Sequence, residues 1–241
     1  MIDREPTMLL TRPEPQSSEF LARCEKEAGR QISAVISPLL QVVDVGEIPT
    51  LDDYRSLIFT SGQAVRRVGE AGLLKGRNVA VVGHATAELA VAYGALAKEY
   101  GRDSQTFLAN CSDLAGPCLY LRGSHTRGDL ATQLTAMGKM TNEAVVYDQI
   151  SRPLTRAAMA LISSQAPIVA PLFSPRTAQL LSRAIGQRSD IEVVAMSKAV
   201  ADESEAIGEV ETSAAPTVEA MCKSTLAKLQ QAYLVERPAD D

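Results

Sequence analysis

The chain has no tryptophan, and aromatic residues make up only 4% of its 241 residues. Stacking of exposed nucleobases on an aromatic platform is therefore not a natural mode of binding. Positive charge is not in excess either: the formal net charge is −5, so long-range attraction to nucleic acid or an anionic membrane is not expected. Only two histidines are present, His84 and His125, too few for a multi-histidine metal centre. The four cysteines, Cys24, Cys111, Cys118 and Cys222, form no Cys-x-x-Cys pair and have no histidine at ligand spacing. They read as reduced thiols of a cytoplasmic protein, not as disulfides or a zinc site. No apolar run is long enough to span a bilayer. The opening residues, Met1-Ile2-Asp3-Arg4-Glu5-Pro6, hold no apolar signal core, so export is not expected.

What the chain does have is a weak internal repeat. Leu57-Ile58-Phe59-Thr60-Ser61-Gly62-Gln63-Ala64, followed by Val79-Ala80-Val81-Val82-Gly83-His84-Ala85-Thr86-Ala87, recurs as Leu172-Phe173-Ser174-Pro175-Arg176-Thr177-Ala178, followed by Val193-Val194-Ala195-Met196-Ser197-Lys198-Ala199-Val200-Ala201. Phe59 and Phe173, Ala64 and Ala178, Val79 and Val193, and Gly94 and Gly208 are all 114 residues apart. Each copy is an apolar run, a small hydroxyl residue, an amphipathic stretch and a second apolar run with its own small-residue turn. That pattern reads as strand–turn–helix, twice over.

Short apolar runs alternate with helical stretches along most of the chain, which predicts parallel sheets covered on both faces. Strands are expected near Thr7–Thr11, Ile32–Ile36, Leu57–Phe59, Val79–Val82, Ser104–Leu108, Cys118–Leu121, Ala144–Tyr147, Ile168–Phe173 and Ile191–Ala195. Helices are expected over Ser17–Ala28, Gln63–Ala71, Ala85–Tyr93, Asp129–Met137, Leu154–Ser164, Arg176–Ile185, Lys198–Ala206 and from Thr217 to about Leu234. A third echo has another offset: Leu9-Leu10-Thr11-Arg12-Pro13 resembles Leu119-Tyr120-Leu121-Arg122-Gly123, 110 residues on. Its turn comes first in one unit and after two turn units in the other. Such a permuted order fits a discontinuous domain, residues 1–38 with 150–241, interrupted by a complete α/β unit over residues 44–146. The joins are then extended linkers near residues 39–43 and 147–149. The fold class is α/β, with two doubly wound parallel-sheet domains facing across a cleft. The charged tail from Glu236 to Asp241 is expected to fray.

Ligands of open α/β sheets bind where strand ends run into helices. That rule selects Thr11–Arg12, Thr60–Ser61–Gly62, Gly83–His84–Ala85–Thr86, Arg122–Gly123–Ser124, Ser174–Pro175–Arg176 and Ser197–Lys198. Taken singly, Thr60, Ser61 and Ser174 are explained as helix N-caps and Pro175 as a first-turn proline. Taken together, they offer unpaired N–H groups, hydroxyls and cations to a ligand with several carboxylates or phosphates. Gly83-His84-Ala85-Thr86 lacks the further glycines of a dinucleotide fingerprint, and there is no P-loop. His84 reads as a solvated loop histidine, and nothing near Cys111 or Cys118 activates a thiolate. Tyr147, closing an apolar run at a proposed linker, either faces the ligand with its phenol or packs in the hinge.

In their order, the Leu9–Pro13 segment, the Phe59–Val65 turn, Val81–Ala87, Leu121-Arg122-Gly123, Val146-Tyr147 and Phe173-Ser174-Pro175 resemble uroporphyrinogen-III synthase, from Met8 to about Gly208. The resemblance implies two α/β domains joined by a two-stranded linker. It implies an enzyme that closes the linear tetrapyrrole hydroxymethylbilane, with inversion of the last pyrrole ring, to uroporphyrinogen III. It implies no cofactor and a small-molecule tetrapyrrole partner; no metal is expected, and the chain is expected to be a monomer. Tyr147 matches the family's candidate for assisting departure of the hydroxyl. Arg12, Thr60, Ser61, Gly62, Gly83, Thr86, Arg122, Gly123, Ser174, Pro175, Ser197 and Lys198 would bind the substrate's eight carboxylates. Two features depart from the family: Val200 stands where a hydroxyl is expected, with Lys198 as a substitute source of charge, and the Ser61-Gly62-Gln63 turn is not the commonest form. The alternative is a non-catalytic two-lobed binding or sensor protein for a polycarboxylate or tetrapyrrole, in which Tyr147 has no required role. A further alternative is another two-lobed enzyme, acting on a phosphorylated or carboxylated metabolite.

Overall fold

Strand β1 (Thr7–Leu10) is buried at every position, as a central strand of a parallel sheet must be when helices cover both faces. Its side chains alternate. Leu9 enters one core with Ala158, Ile162, Ala178, Leu181 and Val200, while Met8 and Leu10 enter another with Phe20, Cys24, Met221, Cys222 and Leu229. The helices supplying these residues are α6 (Arg156–Ser163), α7 (Pro175–Ile185) and α8 (Lys198–Asp202) on one face. On the other face they are α1 (Gln16–Ala28) and α9 (Val218–Glu236). Helix α1 stops at Gly29, whose φ of 66° is the left-handed cap that glycine adopts without strain.

This computed structural model describes residues 5–126, 128–164, 166–186 and 190–236; the tail past Glu236, expected to fray, lies outside them. The chain divides into two compact units, Met1–Gln41 with Ser151–Asp241, and Val42–Ile150. In the first, β1 is joined by β2 (Ala34–Ile36), β9 (Ile168–Leu172), β10 (Ile191–Ala195) and β11 (Gly208–Thr212) in the order β11-β10-β9-β1-β2, all parallel. In the second, β4 (Ser56–Phe59), β5 (Asn78–Val82), β6 (Leu96–Gly101), β7 (Cys118–Gly123) and β8 (Thr141–Ser151) are parallel, and β3 (Leu40–Asp44) is added outside β8. The order is β3-β8-β7-β4-β5-β6. The bonds Val45 N–H to Val146 O and Arg152 N–H to Leu39 O run in opposite senses along the chain, so β3 and β8 are antiparallel. Both unit boundaries fall inside this strand pair.

The second sheet is covered in the same way. Leu57 and Phe59 of β4 pack with Ala64, Val65 and Val68 of α2 (Gly62–Glu70) and Ala90 of α3 (His84–Ala92). Ile58 packs with Phe107 of α4 (Ser104–Asn110) and Leu130, Ala131 and Leu134 of α5 (Leu130–Ala136). Fully burying a side chain such as Phe59 or Leu57 contributes about 1.5–3 kcal/mol. Truncating Phe59 to alanine would cost about 3–5 kcal/mol.

Both sheets have the same winding. In one, β4, β5 and β6 step outward and the chain returns to the far side of β4 for β7 and β8. In the other, β9, β10 and β11 step outward, and β1 and β2 occupy the far side of β9. The strands spaced 114 residues apart are thus topological equivalents, and β7 and β1, which carry the 110-residue echo, fill the same place.

Three expectations are corrected. Ser104–Leu108 is the helix α4, not a strand: the Asp103 carboxylate accepts from Thr106 N–H at 2.8 Å, and the Thr106 hydroxyl closes a reciprocal capping box. Helix α8 ends at Asp202 instead of running to Ala206. Strand β8 continues past Tyr147 to Ser151, so Tyr147 lies within a strand and not at its end.

Candidate functional site

In doubly wound sheets the ligand crevice opens at the carboxyl ends of the strands where the winding reverses. Here the reversals lie between β4 and β7 and between β9 and β1. They bring together Thr60, Ser61, Gly62, Arg122 and Gly123 in one unit, and Ser174, Pro175 and Arg12 in the other. Gly83 and Thr86, after β5, and Ser197 and Lys198, after β10, are one strand further out.

In the inserted unit, Ser61 caps α2, its hydroxyl accepting from Gln63 N–H at 3.2 Å. Thr60 is not a cap. Its hydroxyl bonds the Tyr120 phenol at 2.8 Å, and burial holds that phenol above its ordinary pKa against the opposing effect of the Thr60 bond. Gly62 lies close under Leu89, which a Cβ would meet at 3.3 Å. Gly83 opens α3 at φ 84°, a conformation that excludes other residues. Its N–H is spent on Gly101 O at 2.8 Å. The Thr86 N–H bonds back to Gly83 O, and the Thr86 side chain is half-buried. His84 stands between Glu88 and Glu99, each at 3.4 Å.

Arg122 is committed locally: one guanidinium nitrogen donates to Gly123 O at 2.9 Å and another meets Glu143 at 3.1 Å. The register slips by one residue between Arg122 and Gly123, so that Gly123 pairs with Tyr147. The Tyr147 ring then lies directly on Gly123: a Cβ there would sit 2.6 Å from Cζ and 2.9 Å from the hydroxyl. The ring is 8% exposed and packs with Phe59, Leu119 and Leu121. Its hydroxyl makes no hydrogen bond among the described residues. Tyr120, Glu143 and the seat at Gly123 are not legible as partners in the sequence, because each contact joins neighbouring strands far apart along the chain.

In the discontinuous unit, Ser174 caps α7 through Thr177 N–H at 3.2 Å and shares a 2.8 Å hydrogen bond with the Thr177 hydroxyl; Pro175 follows at the first helical position. Ser197 stands at the cap of α8 with no side-chain cap bond. Lys198 is exposed and paired with Asp202 at 2.6 Å, which raises its pKa. Val200 is 1% exposed and belongs to the core, so its missing hydroxyl is a substitution inside the packing. Arg12 lies over the Phe173 ring, 3.9 Å from its centroid. Burial lowers its pKa, with Glu19 opposing. Among the described residues, the N–H groups of Gly62, His84, Ala85, Lys198 and Ala199 carry no internal partner. These turns have donors to offer an anion. No group of histidine, cysteine, aspartate and glutamate among the described residues could hold a metal ion.

Residues 20–223, which take in both units, match the family model described as uroporphyrinogen-III synthase HemD. The chain belongs to the uroporphyrinogen-III synthase family. This is an enzyme family of heme biosynthesis. No curated protein sequence matches the chain. In fold, the chain is similar to the uroporphyrinogen-III synthetase of Helicobacter pylori, with a TM-score of 0.68 and 16% identity over 93% of this chain and 99% of that one. It is also similar to a mutant uroporphyrinogen III synthase of the extremely thermophilic bacterium Thermus thermophilus, with a TM-score of 0.53 and 15% identity over 95% and 99%. At these identities the solved structures speak for the two-domain fold of the family, and the family match speaks for membership.

Proposed function

We propose that this chain performs the reaction of its family, cyclising hydroxymethylbilane to uroporphyrinogen III with inversion of the last ring. The observation that carries the reading is the family match across both units. The site geometry supports it. Two equivalent sheet edges each present a capped turn, open backbone N–H groups and an arginine, a set suited to a substrate with many carboxylates. We assign carboxylate binding to Thr60, Ser61, Gly62, Gly83, Thr86, Arg122 and Gly123 on one edge, and to Arg12, Ser174, Pro175, Ser197 and Lys198 on the other. The arrangement favours backbone donors over salt bridges: Arg122 and Lys198 already have carboxylate partners, and Gly83 contributes conformation, since its own N–H is taken. The enzyme's main task is to hold the chain in the conformation in which the inverting attack precedes simple closure. Tyr147, seated on Gly123 with its hydroxyl free, assists loss of the substrate hydroxyl. No step calls for a cofactor. The protein acts as a monomer in the cytoplasm, where its four buried thiols stay reduced.

The test is a turnover assay on freshly made hydroxymethylbilane that separates isomers I and III. Wild type should give isomer III; isomer I alone would refute the reading. Tyr147→Phe keeps the ring and its packing and should slow turnover by roughly 10²-fold, letting spontaneous isomer I accumulate while product affinity changes little. Full rate with isomer III alone would show that Tyr147 is not the acid.

A further inference from the structure

A cavity of about 370 Å³ lies wholly within the discontinuous unit, lined by Arg12, Gln16, Glu19, Phe20, Arg23 and Val218. Gln16, Glu19, Phe20 and Arg23 recur at spacings of three and four, so they form one face of α1. Arg12 enters from just past the end of β1, its guanidinium carbon over the Phe173 ring. Val218 is the first residue of the 19-residue helix α9, whose backbone dipole sets positive potential at that wall. Neither Arg12 nor Arg23 has an ion-pair partner among the described residues, in contrast to Arg122 with its Glu143. The Gln16 side chain has its Oε1 buried with no hydrogen-bond partner. Its amide can turn to present either an acceptor or a donor.

The charge count narrows the class of ligand. Two guanidinium groups and one carboxylate leave the wall one positive charge in excess, which matches a monoanion better than a dianionic phosphate. Phe20 and Val218 supply an apolar side for a short methylene arm. A guanidinium already held over an aromatic ring loses little freedom on pairing with a planar carboxylate. We propose that this cavity is a carboxylate subsite in which Arg12, Arg23 and the Gln16 amide hold a single side-chain carboxylate of the tetrapyrrole. The proposal rests on the synthase reading for the identity of the ligand. It adds Gln16 and Arg23 to the binding residues and gives Glu19 a role in tuning the charge.

The probe is uroporphyrin III, the stable oxidised form of the product, titrated by fluorescence against wild type, Arg12→Met, Arg23→Met and Glu19→Gln, with turnover of hydroxymethylbilane measured in parallel. A charge-assisted hydrogen bond lost from a buried site weakens binding about tenfold or more. Each arginine variant should therefore lose about that much affinity, and KM should rise more than kcat falls. Glu19→Gln should bind tighter by severalfold, a direction that mere structural damage would not produce. Unchanged melting temperatures confirm that the fold is intact, and Arg23→Lys should recover part of the loss. If both arginine variants bind within twofold of wild type while wild type makes isomer III, the subsite is refuted and the synthase reading stands. If wild type makes no isomer III but the arginine variants still lose uroporphyrin affinity, the synthase reading falls and the subsite stands.

Discussion

The two units share a winding and differ in how they use it. The strand after which each winding reverses runs into a serine-capped helix, through Ser61 in one unit and Ser174 in the other, and the neighbouring strand carries an arginine at or just past its carboxyl end. In the inserted unit that arginine, Arg122, is neutralised by Glu143, and the next residue, Gly123, is a bare seat for Tyr147. In the discontinuous unit the matching arginine, Arg12, rests on Phe173 with no carboxylate at ion-pair distance among the described residues, and the next residue is Pro13. One edge has been shaped around a phenol, the other around a cation. A shared backbone thus fixes where chemistry can occur, and a few side chains decide which chemistry each edge carries.

The largest effect that would break this contrast is expected at Gly123. Gly123→Ala places a methyl group against the Tyr147 ring. The variant should lose turnover about as severely as Tyr147→Phe, and overpacking should cost about 1–3 kcal/mol in urea denaturation. Because both substitutions act on one hydroxyl, the double variant should be hardly slower than either single one. Independent losses that multiply would mean that Gly123 does not serve Tyr147.

A second contrast concerns the edge strands. Lys228 of α9 is nearly buried and faces Glu192 at 3.0 Å, Glu209 at 3.5 Å and Glu211 at 3.8 Å. Lys98, on the corresponding edge of the other sheet, pairs with Asp113 in full exposure. Burial disfavours the Lys228 charge, but the Glu192 bond and the pull of Glu209 and Glu211 outweigh it and raise its pKa. Lys228→Met should cost about 1–2 kcal/mol at neutral pH. A folded pKa above the unfolded value of about 10.4 means that this contribution is complete below that pH and lost as pH climbs through the folded value. Wild type and variant should therefore converge in strongly alkaline denaturation experiments. Lys98→Met should leave stability unchanged, and a comparable loss there would erase the distinction between the edges.

The smallest effects separate capping from binding. Ser61→Ala and Ser174→Ala each remove a cap bond and should cost about 1 kcal/mol of stability. Ser197→Ala removes none and should leave the melting temperature alone. Any effect of Ser197→Ala on uroporphyrin affinity would then report contact with the ligand.

What the sequence reveals and what it hides divide along the same lines. The central strands are legible because parallel strands buried on both faces are continuous apolar runs. Strands β6 and β11, the matching edge strands of the two sheets, are not, because edges carry charge: Leu-Ala-Lys-Glu-Tyr-Gly and Gly-Glu-Val-Glu-Thr show no apolar run. Strand β3 reads as an extended linker, since its sheet partner among the described residues is β8, about a hundred residues later. Helix α4 reads as a strand from its Thr106-Phe107-Leu108 core, yet an aspartate–threonine capping box outweighs that β propensity. In the site, the turns are visible as motifs, but what each side chain touches is not. Thr60 with Tyr120, Arg122 with Glu143 and Tyr147 with Gly123 are products of strand register, which local sequence does not encode.

The permuted winding also sets a timetable for synthesis. The chain emerges N-terminus first, and β1 and β2 come out early, yet Thr7 pairs with Ile168. Every strand of the inserted sheet is made before β9 exists. That unit can therefore close its core on the ribosome while the first two strands wait, their apolar faces uncovered. The polar residues around β1 and the capped helix α1 bear the burden of keeping that waiting segment in solution. Arrest of translation late enough for β8 to have cleared the ribosomal exit tunnel should leave one finished domain carrying a protease-sensitive N-terminal segment, whereas the released full chain should have both units protected.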